Sequence, residues 1–271
     1  MPILNKDMTV CISLAGRPSN IGTRFHNYLY DELGLNYLYK AFTTDDLEGA
    51  IRGIRALGIR GCSVSMPFKE AIIPLVDVVE ESAAAIDAVN TVVNDDGVLS
   101  ASNTDYEAVA ELLAEHEVDP GSRVLLRGSG GMAKAVVAAF RGAGFDDVTV
   151  LARNESAGSA LAGRYGYRHV REENAAPATD LLVNVTPLGM DGPDADALAF
   201  DESRIRAATT VFDVVAFPSR TPLIRAAAEV GVPVITGTEV IALQAARQFA
   251  RYTGVVPDRN LVERASQFSR A

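Results

Sequence analysis

The stretch Arg123-Val124-Leu125-Leu126-Arg127-Gly128-Ser129-Gly130-Gly131-Met132-Ala133, continued by KAVVAAFRGAG over residues 134–144, decides the fold of this chain. A short apolar run bounded by arginines reads as a buried strand, and it enters a glycine-rich turn followed directly by an alanine-rich helical stretch. Strand, glycine turn and helix in this order are the context that a dinucleotide-binding fingerprint requires. Gly128 and Gly130 let the backbone turn and approach a pyrophosphate with no Cβ in the way. Ala133 takes the third, packing position, and the N–H groups and positive dipole of the helix N-terminus face the anion. Ser129, Gly131 and Met132 complete the candidate cofactor loop. A glycine turn that holds no ligand is the alternative for the same residues.

About 20 residues beyond such a loop, the end of the second strand chooses the cofactor: an acidic side chain there bonds the ribose 2′-hydroxyl of NAD. Here that strand ends in VLA followed by Arg153 and Asn154. A planar guanidinium pairs with a 2′-phosphate and stacks on adenine, so NADP is favoured over NAD. Glu155 argues the other way, and a solvated surface arginine is the plainer reading of Arg153.

Further runs, DVTVLA (147–152), DLLVNVT (180–186), TTVFDVV (209–215) and VPVIT (232–236), alternate with helical or loop segments. This half therefore reads as a doubly wound α/β unit of Rossmann type. Upstream, the polar stretch HEVDPGSR (116–123) separates it from another α/β alternation. That alternation has strands in TVCISLAG (9–16), NYLYKAF (36–42) and IRGCSVS (59–65) and a helix from Asp45 to Leu57. Thr43, Thr44 and Asp45 are its candidate caps, Gly58 its C′ residue, and a parallel sheet is expected. Thr91–Asn94 and Val98–Ser102 flank Asp95-Asp96-Gly97, a hairpin signal. Helices are expected near Tyr106–Glu115 and over Val240–Tyr252.

The bulk numbers exclude several classes. At 271 residues, with 48% hydrophobic and 22% charged residues, the chain has the composition of globular domains and the length for two. A net charge of −10 disfavours nucleic acid as a partner. Cys11 and Cys62 lie in apolar runs and read as buried small hydrophobes. His26, His116 and His169 lack metal-ligand spacing, so no metal site is expected. No run approaches the roughly 20 apolar residues of a membrane span, and MPILNKDMTV lacks a signal-peptide core, so a cytoplasmic protein with no membrane partner is expected. Monomer and homodimer are both compatible with the residues.

Three islands remain: Ser63-Val64-Ser65-Met66-Pro67-Phe68-Lys69-Glu70, Ala88-Val89-Asn90-Thr91 and Asn103-Thr104-Asp105. In this order and at about these spacings they resemble the shikimate dehydrogenase family. The GSGGMAKA loop, Asn184-Val185-Thr186-Pro187-Leu188-Gly189-Met190, Phe212-Asp213-Val214-Val215 and Gln244-Ala245-Ala246 extend the likeness over nearly the whole chain. The resemblance implies a discontinuous substrate-binding domain, residues 1–105 plus 238–271, with an NADP-binding domain, 106–237, inserted, and an active site in the cleft between them. It implies that Lys69 and Asp105 form the catalytic pair beside a substrate hydroxyl that becomes a carbonyl. Asn90 and Gln244 would contact ring hydroxyls, Ser65 would stand where the family has a threonine in its substrate pocket, and Thr186 and Gly237 would lie against the cofactor. Such a pair suits hydride transfer, because oxidising an alcohol requires that its proton be removed as the hydride leaves.

The chain also departs from the pattern. An amino-terminal HSxSP element, whose serines hold the substrate carboxylate in the family, is replaced by residues 16–27, GRPSNIGTRFHN, which resemble the divergent shikimate dehydrogenase-like branch. Ser19, Asn20 and Thr23 are the candidate replacements. Ala216 stands where a pocket tyrosine is usual, Tyr106 where a glycine follows the aspartate, and Ala157 where a second basic residue is common. The expectation is an NADP-dependent enzyme interconverting shikimate and 3-dehydroshikimate, slow or altered in preference. The alternatives are a dehydrogenase of quinate or another cyclic hydroxy acid, and a non-catalytic dinucleotide-binding regulatory protein.

Overall fold

A computed structural model describes residues 4–270. The chain divides into two compact units, one running to Thr104 and resuming at Ala242, the other Asp105–Ile241.

In the first unit, β1 (Thr9–Leu14), α1 (Asn20–Glu32), β2 (Tyr37–Phe42), α2 (Leu47–Ala56) and β3 (Gly61–Val64) make the expected alternation. The short α3 (Phe68–Ala71), β4 (Val78–Val79) and α4 (Glu81–Ala84) precede β5 (Thr91–Asp95) and β6 (Val98–Ser102). The sheet order is β2-β1-β3-β5-β6-β4, with β1 parallel to β2 and β3. The parallel arrangement expected of the alternation holds for β1, β2 and β3, and the expected hairpin pairs β5 with β6 antiparallel; β5 also runs antiparallel to β3. Asp95 pairs with Val98, leaving Asp96 and Gly97 as a turn with φ of 51° and 93°, and so tight a connection can only reverse the chain.

The caps of α2 also differ from expectation. Asp46, one residue beyond Thr43, Thr44 and Asp45, accepts the Gly49 N–H at 2.7 Å, while Thr44 Oγ1 accepts the Asp46 N–H. The helix therefore starts at Leu47, and Gly58 follows it at φ 62°.

The second unit contains α5 from Asp105 onward (Thr104–Glu115), β7 (Val124–Arg127), α6 (Gly131–Gly142), β8 (Val148–Leu151), α7 (Glu155–Tyr165) and β9 (Arg168–Val170). It continues through β10 (Leu181–Asn184), α8 (Glu202–Ala207), β11 (Thr210–Asp213), α9 (Pro222–Glu229) and β12 (Val234–Thr236). All its strand pairs are parallel, in the order β12-β11-β10-β7-β8-β9. This is the doubly wound order in which the first strand of the motif, β7, lies centrally and the winding reverses between β7 and β10.

Helix α10 (Gly237–Thr253) starts in the second unit and ends in the first, where Phe249 and Tyr252 join Phe25, Leu29 and Tyr39 in one core. A last helix, α11 (Arg259–Arg270), buries Leu261, Val262 and Ala265 in that core. It lies on α1, with Phe268 5.0 Å from the Tyr28 ring and under the Arg24 guanidinium at 4.8 Å. Cys11 and Cys62 are buried free thiols. No helix among the described residues is long and apolar enough to cross a membrane.

Candidate active site

At the β7/β10 reversal, open parallel sheets bind ligands beyond their strand ends. Gly128 leaves β7 there with φ 130°, and a Cβ on it would stand 2.7 Å from Val185 Cγ2 and 3.2 Å from the Val185 carbonyl oxygen. Both the dihedral and the crowding at β10 demand glycine. Gly130 and Gly131 differ: a Cβ on either would meet nothing within 4 Å, both are exposed, and no side chain caps α6. The first N–H groups of α6 are thus open to an anion, and this cradle fits a dinucleotide pyrophosphate. Ser129 and Met132 are half-buried beside the cradle, and Ala133 is buried beneath it.

Arg153 and Asn154 are exposed just past β8, and the Asn154 side chain caps α7 by accepting the Ala157 N–H at 3.1 Å. Glu155, the acidic residue beside them, is held at 3.3 Å by Arg171, which follows β9. That pairing offsets the charge that argued against a phosphate at Arg153.

Thr186 donates through both its N–H and its hydroxyl to Asn184 Oδ1, at 3.1 and 2.6 Å. Asn184 Nδ2 in turn donates to buried Asp213, which also accepts from Thr221 Oγ1 at 2.6 Å and from the Val215 N–H. Burial pushes the Asp213 carboxyl up to about 6 against the pull of these donors. Gly237 is buried, and the group that leaves no room for its Cβ is the Val214 carbonyl of this same chain.

In the first unit a second polar cluster sits past the ends of β1 and β3, which pair Leu14 with Val64. The Gly16 N–H donates to the Met66 carbonyl at 2.8 Å, joining the two loops that carry Ser19 and Ser65. Ser19 and Asn20 are exposed at the start of α1, where Ser19 makes no side-chain cap, and Thr23 is half-buried one turn on. Ser65 is exposed. Lys69, half-buried in α3, accepts the Val89 N–H on its carbonyl at 2.8 Å, which sets the lysine beside the residue preceding Asn90.

Asn90 is buried. Its Oδ1 accepts from Thr91 Oγ1 at 2.7 Å, from the Thr104 N–H at 2.8 Å and lies 3.1 Å from Thr104 Oγ1. Thr104 Oγ1 also reaches Gln244 Oε1 at 3.3 Å. Thr104 therefore gathers Asn90 and Gln244, and Asp105 is the next residue, in the first turn of α5. Lys69 and Asp105 fall on opposite sides of the division between units. Ala216 is buried, and the Tyr106 hydroxyl stands where a Cβ on Gly142 of α6 would be.

Sequence reasoning passed over Gln248, one helical turn after Gln244. It is buried, donates to the Asn90 carbonyl and to Thr91 Oγ1 at 3.1 and 3.0 Å, and accepts from Ser63 Oγ at 3.0 Å. The i, i+4 spacing of two glutamines on one helix face was the available signal.

Comparison with known proteins accords with this geometry. The model of the shikimate dehydrogenase substrate binding domain matches residues 20–92. The chain is 52% identical over 269 residues to a shikimate dehydrogenase-like protein of Haemophilus influenzae, covering 99% of each. It is 36% identical to the shikimate dehydrogenase (NADP(+)) of Rubrobacter xylanophilus, covering 95% of each. Among solved structures, the shikimate 5-dehydrogenase of Thermus thermophilus in complex with NADP(H) and shikimate superposes with a TM-score of 0.86 at 31% identity, covering 97% of this chain and 100% of that one. With a glycine cradle at the sheet reversal, an amide pair gathered on Thr104, and these likenesses along nearly its full length, the chain belongs to the shikimate dehydrogenase family.

Proposed function

We propose that this protein is an NADP(H)-dependent oxidoreductase that interconverts shikimate and 3-dehydroshikimate. Residues 1–105 and 238–271 serve as the substrate-binding part and 106–237 as the NADP-binding part. The observation that carries the reading is the cluster within the first unit: Asn90 and Gln244 both meet Thr104, the residue before Asp105, and the Lys69 carbonyl accepts the N–H of Val89, the residue before Asn90. A lysine, a carboxylate and two neutral amides are what a ring alcohol needs for proton transfer and orientation without added charge.

The cofactor, when bound, supplies the hydride acceptor for oxidation and the hydride donor for reduction. Its pyrophosphate is held at Gly128–Ala133, and Arg153 with Asn154 faces the 2′-phosphate. Thr186 and Gly237 line the remainder of the cofactor path. NADP is preferred to NAD because Arg153 stands where NAD enzymes place an acid and because Arg171 holds Glu155. Names of relatives point the same way, to NADP(+) in one and to NADP(H) with shikimate in another.

In oxidation, Lys69 takes the proton of the substrate hydroxyl as the carbon loses its hydride, and in reduction it returns that proton to the new alkoxide. Asp105 orients Lys69. Asn90 and Gln244 fix the ring through its hydroxyls, Ser65 contributes a hydroxyl, and Ser19, Asn20 and Thr23 bind the carboxylate. The altered stretch at residues 16–27 and the small Ala216 favour a second reading, in which quinate or another cyclic hydroxy acid is the better substrate.

Initial rates of NADP+ and NAD+ reduction with shikimate and with quinate test the proposal. NADP+-linked shikimate oxidation is the expected result, and faster quinate turnover would favour the second reading. Saturable NADP+ binding with no turnover of either acid would overturn both in favour of a dinucleotide-binding regulator.

A further inference from the structure

The hydrogen bonds around Asn90 can be assigned proton by proton, because two of them end on backbone groups whose roles are fixed. The Thr104 N–H can only donate, so the Asn90 atom it meets at 2.8 Å is oxygen. The Asn90 carbonyl can only accept, so the Gln248 atom that meets it at 3.1 Å is nitrogen. Gln248 Nε2 then donates also to Thr91 Oγ1 at 3.0 Å, and Thr91 is left to donate its single proton to Asn90 Oδ1 at 2.7 Å. The Thr104 hydroxyl has one proton and two acceptors within reach, Asn90 Oδ1 at 3.1 Å and Gln244 Oε1 at 3.3 Å.

The far end of Gln248 is fixed in the same way. Its Oε1 accepts from Ser63 Oγ at 3.0 Å, and Ser63 in turn accepts from the buried Tyr39 hydroxyl at 2.6 Å. All the groups of this chain of bonds belong to the first unit. Every polar atom of the Gln248 side chain is used inside the protein, and it offers nothing to a ligand. Asn90 is different: its Nδ2 finds no acceptor among the described residues and is not sealed from solvent, and Gln244 Nε2 likewise has no acceptor among them.

We propose that Gln248 is a positioning residue of the substrate site: acting through Thr91, and alongside the Thr104 N–H, it holds the Asn90 amide with its oxygen inward and its nitrogen presented to the ligand. Asn90 then offers N–H donors, so the ligand oxygen that it meets is bound as an acceptor. A hydroxyl meeting this amide turns its own proton elsewhere, and a carbonyl at that place is bound as well as a hydroxyl, which suits a site that holds both alcohol and ketone. The inference rests on the reading that Asn90 and Gln244 face the substrate.

The test compares Gln248→Met and Thr91→Val, singly and together, in the full-length protein. Methionine keeps the volume of Gln248 and removes its donors, and valine is nearly isosteric with threonine, so that one variant folds even where the other is weakened. Each single substitution is expected to raise the shikimate KM about tenfold, the cost of one oriented hydrogen bond, with kcat within about twofold and the NADP+ KM unchanged. The double variant is expected to be no worse than either single one, because both cut the same path. An unchanged shikimate KM in both single variants, or losses that multiply in the double, would overturn the proposal.

A ligand-free readout separates this proposal from the reading of the substrate. With asparagine labelled by 15N, and the Asn90 side-chain signal identified through Asn90→Asp, wild type is expected to show one sharp NH2 pair and Gln248→Met a broadened or doubled one. A pair that stays sharp and unshifted in Gln248→Met overturns the proposal even if the protein never turns shikimate over.

Discussion

Two buried titratable side chains give stability opposite dependences on pH. Asp213 has its carboxyl pushed from 3.8 up to about 6, chiefly by burial, so the folded state keeps a proton that the unfolded chain has already lost. Its contribution is full below pH 3.8 and is lost as the pH rises through about 6. His26 is stacked on Tyr39 at 4.3 Å and is pushed by burial from 6.5 down to about 3, so its contribution is full above 6.5 and is lost as the pH falls toward 3. Denaturant unfolding between about pH 4.5 and 7 checks both, each with a limiting slope of about 1.4 kcal/mol per pH unit. Wild type should lose stability relative to Asp213→Asn as the pH rises across that range, and relative to His26→Phe as it falls. Differences that do not vary with pH would refute these assignments. Of the proposed site residues, Lys69, Asn90, Asp105 and Gln244 stand in short motifs and could be singled out from the sequence. Gln248 could not, because its partners Asn90 and Thr91 lie 158 and 157 residues away in sequence and only the folding of α10 onto β5 joins them.

At the scale of elements, α10 packs so closely on β3 that Gly61 has no room for a side chain: a Cβ there would overlap the ring of fully buried Tyr252. Gly61→Ala is expected to lower the unfolding free energy by about 1–3 kcal/mol through overpacking. Gly53, inside α2 with nothing within 4 Å of its missing Cβ, supplies the opposite sign. Gly53→Ala is expected to add about 0.4–1 kcal/mol by restricting the unfolded chain. Equal effects in urea unfolding would mean that the α10–β3 contact is looser than it stands here. Most elements could be read from periodicity and turn chemistry, and the Asp96-Gly97 hairpin from its dipeptide. The sense of β5 within the sheet could not be read from the βαβ pattern, because it depends on which neighbour the hairpin joins. Helix α11 was passed over as well, although Asp258 Oδ1 accepts the Leu261 N–H at 2.9 Å and Leu261, Val262 and Ala265 recur at helical spacing. Its apolar face has meaning only against α1 and the aromatic cluster of the first unit.

At the scale of the whole molecule, each unit holds one part of the proposed chemistry. One unit has the doubly wound sheet with an uncapped, glycine-lined helix start at its reversal, and the other has the amide pair and the lysine. The doubly wound unit was legible from a single strand-turn-helix stretch, because that geometry permits few sequences. The other unit was legible only as motifs in order, since lysine, asparagine and glutamine are common surface residues and nothing local marks them as a site. The step on which the proposed reaction turns is proton handling by Lys69 in an NADP-linked oxidation of shikimate. Its most direct test is steady-state NADP+ reduction by shikimate in wild type and Lys69→Ala, with NADP+ affinity measured in parallel by calorimetry. The expected result is a kcat lower by at least about 100-fold in the variant with NADP+ affinity unchanged, the size of a lost general acid–base group. A variant that turns shikimate over as fast as wild type would contradict it.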